Sequence, residues 1–568
     1  MNDATKNARV NNIDKKEELL SKSLRIALKR RGLYESDDGN SKRLKMLRNL
    51  EGMVNQWSSN LSSSKSKDEK NLVVLSTFGS FRLGVHRPDA DIDVLAIAPA
   101  HCTRRSFFED LPKILEEDEF VSDLHPVPSA YTPVIKLKMG GISIDLVFAR
   151  CNEKGAADIM MKRMLQDDTS QEFQKCIKEE DLVGLELDET GVNMRCVNGV
   201  RVNQILLDIV EETGSGKESF RDALICVKEW ARINGIYSNV LGFLGGVNWA
   251  LLVANICRMY PNTSSSSTIV NHFFRVYSEW NWPKPVSLIQ PSLLQKRYHP
   301  FALNSNLKNH RCYQNWDPKS NRRDALHLMP ILTPAYPSMN SAYNVGNAQL
   351  RRIQTELWRA RQICDEINRG KKNWNSLLSE EQGTNFFRTH QHYLEVTISA
   401  STTKRSFQQW FGICEAKLRI LIASLDNVEF GIECHPFSKC FTKTKIDGKG
   451  LARKEATFYV ALRFAYGVEK INITELASEY LYIVNSWENR TLDMDLRLSN
   501  KTRESIPENI LSSEASGGEE TNHSQVEKQH KSKQNGKSQN RRKRRKYNDD
   551  QKENNTQDLH LKSQQKTR

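Results

Sequence analysis

The sequence is short of the features that mark secreted, disulfide-built or membrane-spanning chains. Its 568 residues hold 11 cysteines, an odd number with no CxxC pair among them. Such scatter argues against a disulfide framework and points to a reducing intracellular compartment. Cys434, His435 and Cys440 lie close together but lack the paired spacing of structural zinc sites, so they read as buried thiols beside a histidine. The start, MNDATKNARVNN, is polar and carries no signal peptide pattern. Long apolar runs are missing too. The one uncharged stretch of membrane length, Ile236 to Cys257, is broken by Asn239, Asn248, Asn255 and the glycines of GFLGG. Those groups are costly in hydrocarbon, so the stretch reads as a buried loop followed by a core helix.

What is present is a chain with 38% hydrophobic and 27% charged residues, enough for two or three domains with real cores. Its formal net charge of +14 suits a polyanionic partner. Hydrophobicity falls away beyond about Ser499, and the low-complexity tail that follows is expected to be disordered. Within it Arg541 to Lys546, RRKRRK, reads first as a nuclear import signal and second as a nonspecific RNA contact.

The chain is organised around Phe78 to Asp93, FGSFRLGVHRPDADID. Residues i and i+2 of an extended strand share a face, so Asp91 and Asp93 can share one location. Two carboxylates that close repel unless a cation sits between them, and hard Mg²⁺ prefers such oxygens. The Gly79-Ser80 turn upstream offers backbone N–H groups and a hydroxyl to an anion. Metal and phosphate in one loop point to nucleotide chemistry. Downstream, PVIKLKM and GISIDLVFA, joined by Gly140-Gly141, predict a hairpin. The second strand carries Asp145 amid Ile142, Ile144, Leu146 and Val147. A lone buried carboxylate is either a salt-bridged structural group or, beside a DxD strand, a third metal-facing ligand.

Amphipathic helices are expected before this motif, as in Leu44, Leu47, Leu50 and Val54, and after Arg201. FRDALICVKEWARI aligns Phe220, Leu224, Val227 and Ala231 on one stripe, with Lys228 and Arg232 beside it. GIYSNVLGFLGG then leads into a new helix, whose N-terminus favours anions. HLMPILTPAYPSMNSAYNV has too many prolines for a helix or strand and reads as an ordered connector. Later, HYLEVTISA, SFQQWFGICEAKLRILIASLDN and KEATFYVALRFAY give strand, helix and strand, the pattern of a small α+β RNA-binding sheet.

Taken together, TFGSFRLGVHRPDADID, GISIDLVFA, VNGVRV, IYSNVLGFLGGVNWA, NWPKPV, HLMPILTPAYPSMNSAYNV and HPF resemble the eukaryotic nuclear poly(A) polymerase family. The resemblance runs from Leu24 to Trp487. It implies an α+β multidomain fold, with a mixed-sheet nucleotidyltransferase domain at 60–190 and a helical middle domain at 195–358. N-terminal helices at 15–58 would pack with that middle domain. An RNA-recognition-like α+β domain at 359–495 and a disordered basic tail at 500–568 would complete the chain.

The same resemblance implies template-independent addition of AMP from ATP to an RNA 3′-hydroxyl, with two Mg²⁺ ions (or Mn²⁺) held by Asp91, Asp93 and Asp145. Phe78, Gly79 and Ser80 match positions that hold the nucleotide's phosphates. Asn198, Lys228, Tyr237, Asn239, Gly246 and Val247 match contacts to ATP, its adenine or the primer end. Two positions depart from the family pattern: Arg87-Pro88-Asp89 stands where relatives carry small or polar residues, and Arg232 where they commonly carry lysine. Arg87 and Arg232 remain candidate phosphate contacts. The implied setting is a nuclear monomer that meets pre-mRNA and cleavage-and-polyadenylation factors, with no membrane partner. The alternatives are a related transferase preferring another base, such as a uridylyltransferase, and an inactive RNA-binding scaffold. A scaffold would be marked by a lost carboxylate, and all of Asp91, Asp93 and Asp145 are present.

Overall fold

The computed structural model describes residues 3–62, 72–151, 173, 177, 184–298, 307, 310–379, 386–401, 404–426, 431–446, 452–466 and 473–507. The chain divides into two units, Met1–Glu504 and Ser505–Arg568. The second is described only to residue 507, so the predicted import block at Arg541 to Lys546 lies outside the described residues.

The Phe78–Asp93 segment belongs to a five-stranded mixed sheet. Its strands are β1 (Val74–Phe78), β2 (Ile92–Ala98), β3 (Val121–Val127), β4 (Val134–Met139) and β5 (Ile142–Arg150), in the order β1-β2-β5-β4-β3. Only β2 and β5 run parallel. Strand alternation sorts the side chains. Ile92, Val94, Ala96, Ile144, Leu146 and Phe148 enter one core, while Leu95, Ile97, Val147 and Ala149 enter the other. Asp93 and Asp145 share the parity of the second set. That face is covered by the helix Val192–Glu212 through Met194, Val197 and Val200.

The N-terminal helices part company. The first, Asp3–Arg30, packs on the helical middle region, with Leu24 and Leu28 in the same core as Phe273 and Phe274. The second, Asp37–Leu61, does not join that region, contrary to the expectation for 15–58. Its stripe Met46, Leu47, Leu50, Val54 and Trp57 is buried against Val94, Phe107 and Phe148 of the sheet core. An amphipathic stripe fixes which face is buried and leaves the partner open.

The middle region is built from the helices Lys217–Ile233, Gly246–Met259, Ser266–Ser278 and Asn347–Asn368. Phe220, Leu224, Val227 and Ala231 form the buried stripe that the sequence indicates, each fully enclosed. A fully buried aliphatic or aromatic side chain contributes about 1.5–3 kcal/mol, so this stripe holds Lys217–Ile233 firmly enough to aim Lys228. The uncharged Ile236–Cys257 stretch is a turn followed by the Gly246–Met259 helix. No helix among the described residues is long and apolar enough to cross a membrane. The proline-rich connector is irregular and buried apart from a two-residue strand, β7 (Ile331–Leu332), pairing with β6 (Val286–Ser287).

The last sheet holds β8 (His392–Ser401), β9 (Ile432–Pro436), β10 (Phe441–Ile446), β11 (Ala452–Phe464) and β12 (Asp495–Thr502). Its order is β10-β11-β8-β12, with β9 also on β11. The helix Lys404–Leu425 buries Trp410, Cys414, Leu418, Leu421 and Leu425. β12 corrects the boundary expected at 495 and the tail expected from 500. Its sequence DLRLSNKT is polar because one face is open, and only Leu496 and Leu498 pack on the core.

Candidate active site

Two ladders fix two of the aspartates. In the parallel pairing of β2 with β5, Asp93 is the register partner of Asp145, and across the antiparallel pairing Phe78 is the partner of Asp93. Asp91 precedes the first ladder residue and shares the parity of Asp93. Each of the three carboxylates can offer one oxygen such that all lie within 4.8 Å of one another. Among the described residues this is the set of acidic, histidine and cysteine side chains spaced to hold a metal ion. Oxygen-only donors suit a hard divalent cation such as Mg²⁺.

The electrostatics tell the same story. Burial, with Asp91 and Asp145 added to it, raises the Asp93 carboxyl to about 7. Asp91 stands at the mouth, and desolvation on its inward side, then Asp145, raises it as well. Lys136, the β4 register partner of Asp145, supplies the nearest counter-charge, with Nζ 2.5 Å from Asp145 Oδ2. The register of the hairpin brought it there, a contact that counting outward from Gly140-Gly141 would have found.

Gly79 opens a single helical turn, Gly79–Leu83, whose N-cap Phe78 makes no side-chain cap. Its φ is +67°, and a Cβ there would lie 2.0 Å from Asp93 Oδ2. Only glycine tolerates both demands. The Phe78 ring rests on Gly199 of the Val192–Glu212 helix, where a Cβ would come within 2.4 Å of it. From the same helix Asn203 Nδ2 donates to the Gly79 carbonyl at 2.9 Å. Asn198 leaves its Oδ1 buried without a hydrogen bond, an acceptor open to a ligand.

The facing wall comes from Lys217–Ile233. Lys228 Nζ donates to the Val85 carbonyl at 3.1 Å, and burial followed by the Arg232 charge lowers its ammonium to about 7. Glu229, unremarked in the sequence, gathers three guanidiniums: Arg87 at 3.3 Å, Arg31 at 3.7 Å and Arg232 at 3.9 Å. The Arg232 guanidinium also lies over the Tyr237 ring, 4.5 Å from its centroid. Burial raises the Tyr237 phenol above its ordinary range. Its hydroxyl is 3.0 Å from where a Gly246 Cβ would stand, so the phenol lies against the start of Gly246–Met259 and a side chain at 246 would crowd it. Asn239 and Val247 are exposed on the rim beside it.

The structure therefore collects the expected residues into two groups, Phe78-Gly79 with the aspartates and Arg232-Tyr237-Gly246 with its rim. Lys228 and Arg87 stand between them. Among the described residues, no hydrogen bond ties the Ser80 hydroxyl or the Asn198 carboxamide to either group. The Cys434-His435-Cys440 set forms no metal group. Cys434 is fully buried, burial raises the Cys440 thiol to about 12, and His435 sits 3.0 Å from Glu433.

Comparison with known proteins adds the family. Residues 5–210 match the poly(A) polymerase nucleotidyltransferase domain, 219–380 the poly(A) polymerase central domain, and 385–449 the poly(A) polymerase predicted RNA binding domain. Poly(A) polymerase PAPalpha of Candida albicans is 37% identical over 440 residues, covering 76% of this chain and 71% of that protein. The chain belongs to the poly(A) polymerase family. Poly(A) polymerase pla1 of Schizosaccharomyces pombe is 36% identical over 463 residues, covering 79% and 73%. Nuclear poly(A) polymerase 1 of Arabidopsis thaliana is 34% identical over 486 residues, covering 84% of this chain. The chain spans 61% of that protein's length and 54% of the poly(A) polymerase of Dictyostelium discoideum. A solved structure of Cid1 in complex with its short product ApU overlaps at a TM-score of 0.40 with 14% identity, covering 64% of this chain and 98% of that one. That overlap is too loose to bear on function. The fold is the family's: a mixed-sheet nucleotidyltransferase domain, a helical middle domain and an α+β RNA-binding domain.

Proposed function

We propose that this protein is a polynucleotide adenylyltransferase, adding AMP from ATP to the 3′-hydroxyl of RNA without a template and releasing pyrophosphate. The observation that carries the reading is the triad of Asp91 with the register partners Asp93 and Asp145, facing a wall of Lys228, Arg232 and Tyr237. Family membership supplies the acceptor and the base.

The triad fits two Mg²⁺ ions, or Mn²⁺, since its donors are all carboxylate oxygens, and burial with the neighbouring carboxylates raises the Asp93 carboxyl, a repulsion that a bound cation would relieve. Asp91, Asp93 and Asp145 would hold one ion, and Asp91 with Asp93 the other. Such ions, when bound, supply activation of the 3′-hydroxyl and neutralisation of the leaving pyrophosphate. The chain's own residues do the positioning. The open turn after Phe78 presents N–H groups to the phosphates, and Gly79 allows it to approach Asp93. Lys228 and Arg232 take up charge on the triphosphate, Arg87 joins them from the turn before Asp91, and Tyr237 donates its hydroxyl. Asn198, Asn239, Gly246 and Val247 orient the adenosine or the primer end. Placement and fixed charge carry most of the acceleration in such transfers.

The further setting we propose is the nucleus, which the names of the nuclear poly(A) polymerases among the relatives support, with pre-mRNA 3′ ends as substrate, cleavage-and-polyadenylation factors as partners and a monomeric state. Primer extension tests the reading. The full chain, given an RNA primer, a divalent metal and each nucleotide separately, is expected to extend with ATP, and Asp145→Ala to abolish extension while still binding ATP. Preferential use of UTP, or normal extension by Asp145→Ala, would overturn it.

A further inference from the structure

Asp93 and Asp145 are set by the β2–β5 ladder, but Asp91 lies one residue before it, so its place depends on the turn that delivers it. That turn, residues 87–90, is closed by Ala90 N donating to the Arg87 carbonyl at 3.0 Å. Its carbonyls are gripped from outside by one side chain. Arg43 Nη1 donates to Ala90 O at 2.8 Å, and Nη2 to Pro88 O at 2.8 Å and to Arg87 O at 3.4 Å. Its Nε donates to Glu35 Oε2 at 3.0 Å. The Arg43 side chain is 3% exposed and that of Glu35 8%.

Arg43 stands on the stripe of Asp37–Leu61 that continues as Met46, Leu47, Leu50, Val54 and Trp57, so the sheet core locks its backbone. One turn earlier, Asn40 Oδ1 meets His86 Nε2 at 3.0 Å, a second grip of the same helix on the same loop. A guanidinium suits this task because its planar fork reaches several carbonyls in fixed directions, which an ammonium cannot.

We propose that Arg43 is a positioning residue of the metal site, holding the 87–90 turn so that Asp91 meets Asp93 and Asp145. The proposal rests on the reading of the triad as a divalent-cation site. Arg43 touches no reacting atom and acts through the backbone. Groups that orient metal ligands in this way typically change metal affinity or activity about 10- to 100-fold when replaced.

The test is direct Mn²⁺ binding to the full chain without nucleotide, read by electron paramagnetic resonance of free Mn²⁺, with thermal melting alongside. Arg43→Lys keeps a charge but loses the fork, and Arg43→Met with Glu35→Gln removes both buried charges together. The Mn²⁺ dissociation constant is expected to rise about tenfold or more in each folded variant, and Asp145→Ala serves as the ligand control. Folded variants that bind Mn²⁺ within twofold of the natural chain would overturn the role of Arg43 and leave the triad standing. If the double variant does not fold, Arg43→Lys decides alone. Equal binding by the natural chain and Asp145→Ala would instead remove the metal site, and the proposal with it.

Discussion

Gly79→Ala places one methyl group where the site has no room for it. At φ +67° a non-glycine residue is strained, and the added Cβ would stand 2.0 Å from Asp93 Oδ2 against an ordinary contact of 3.4 Å or more. The backbone cost is about 1–3 kcal/mol. Relief of the contact requires the Asp93 carboxylate to move by well over an ångström, since β1 and β2 are held by their ladder. Misplacement on that scale costs about 100-fold in rate. Extension of an oligoadenylate primer at saturating ATP, with melting recorded on the same samples, measures both. Gly79→Asn separates the two causes, because asparagine tolerates the left-handed backbone yet carries the same Cβ. It should recover part of the lost stability and little of the lost rate. A Gly79→Ala protein that melts and extends like the natural chain would refute the placement of this turn against Asp93.

Two further outcomes follow from the charges. In metal-free protein the raised Asp93 carboxyl makes the folded state bind more protons than the unfolded between about pH 4 and 7, so its effect on stability is adverse and grows with pH over that range. The lowered Lys228 ammonium works between about 7 and 10.5: the unfolded state binds more protons there, so the penalty for burying this charge, present below that range, is lifted as pH rises. Denaturation in EDTA should therefore show the joint contribution of these groups weakest near neutrality, and added Mn²⁺ should help more at pH 8 than at pH 5. Stabilisation by Mn²⁺ that is equal at both values would contradict it. Arg87→Ala should raise KM for ATP about three- to tenfold with kcat little changed, the mark of a ground-state contact. Its effect on folding should stay within about 1 kcal/mol, since the Arg87 side chain is 31% exposed and such pairs are screened.

Much of the fold was legible where one periodicity dominated. The β4–β5 hairpin could be counted outward from Gly140-Gly141, and the Lys217–Ile233 stripe falls on its predicted residues. The errors arose where sequence pattern names a buried face without its partner. Asp37–Leu61 looked like a helix of the middle region and is a layer on the sheet. β12 hid because a strand with one solvated face and two leucines resembles the start of a polar tail. At the site, the aspartates were visible through the DxD spacing and a carboxylate stranded in an apolar strand. Glu229 was not, because an acid beside Lys228 on an exposed-looking helix face has no local mark. Arg43 had a mark that is easy to pass over, a charged residue on the buried stripe of its own helix.

Glu229 and Arg43 lack a plain local mark because each answers to charges on other elements of the cleft. Asp91, Asp93, Asp145, Glu229, Glu35 and Asp89 are met by Lys136, Lys228, Arg31, Arg43, Arg87 and Arg232. Among the described residues these six carboxylates thus face six cations, drawn from both N-terminal helices or the turn after them, the 87–90 turn and Asp91 after it, β2, β4, β5 and Lys217–Ile233. The balance is poised, since burial raises the Asp93 carboxyl and lowers the Lys228 ammonium, each to about 7. A triphosphate alone would disturb it with negative charge and metal ions alone with positive. Together they leave it nearly unchanged, so ATP and the divalent ion should each tighten the other's binding, by the same factor in both directions. Calorimetric titration of ATP with and without Mg²⁺, and of Mn²⁺ with and without ATP, measures the two factors. Metal affinity indifferent to ATP would mean that the cleft does not hold both in one place.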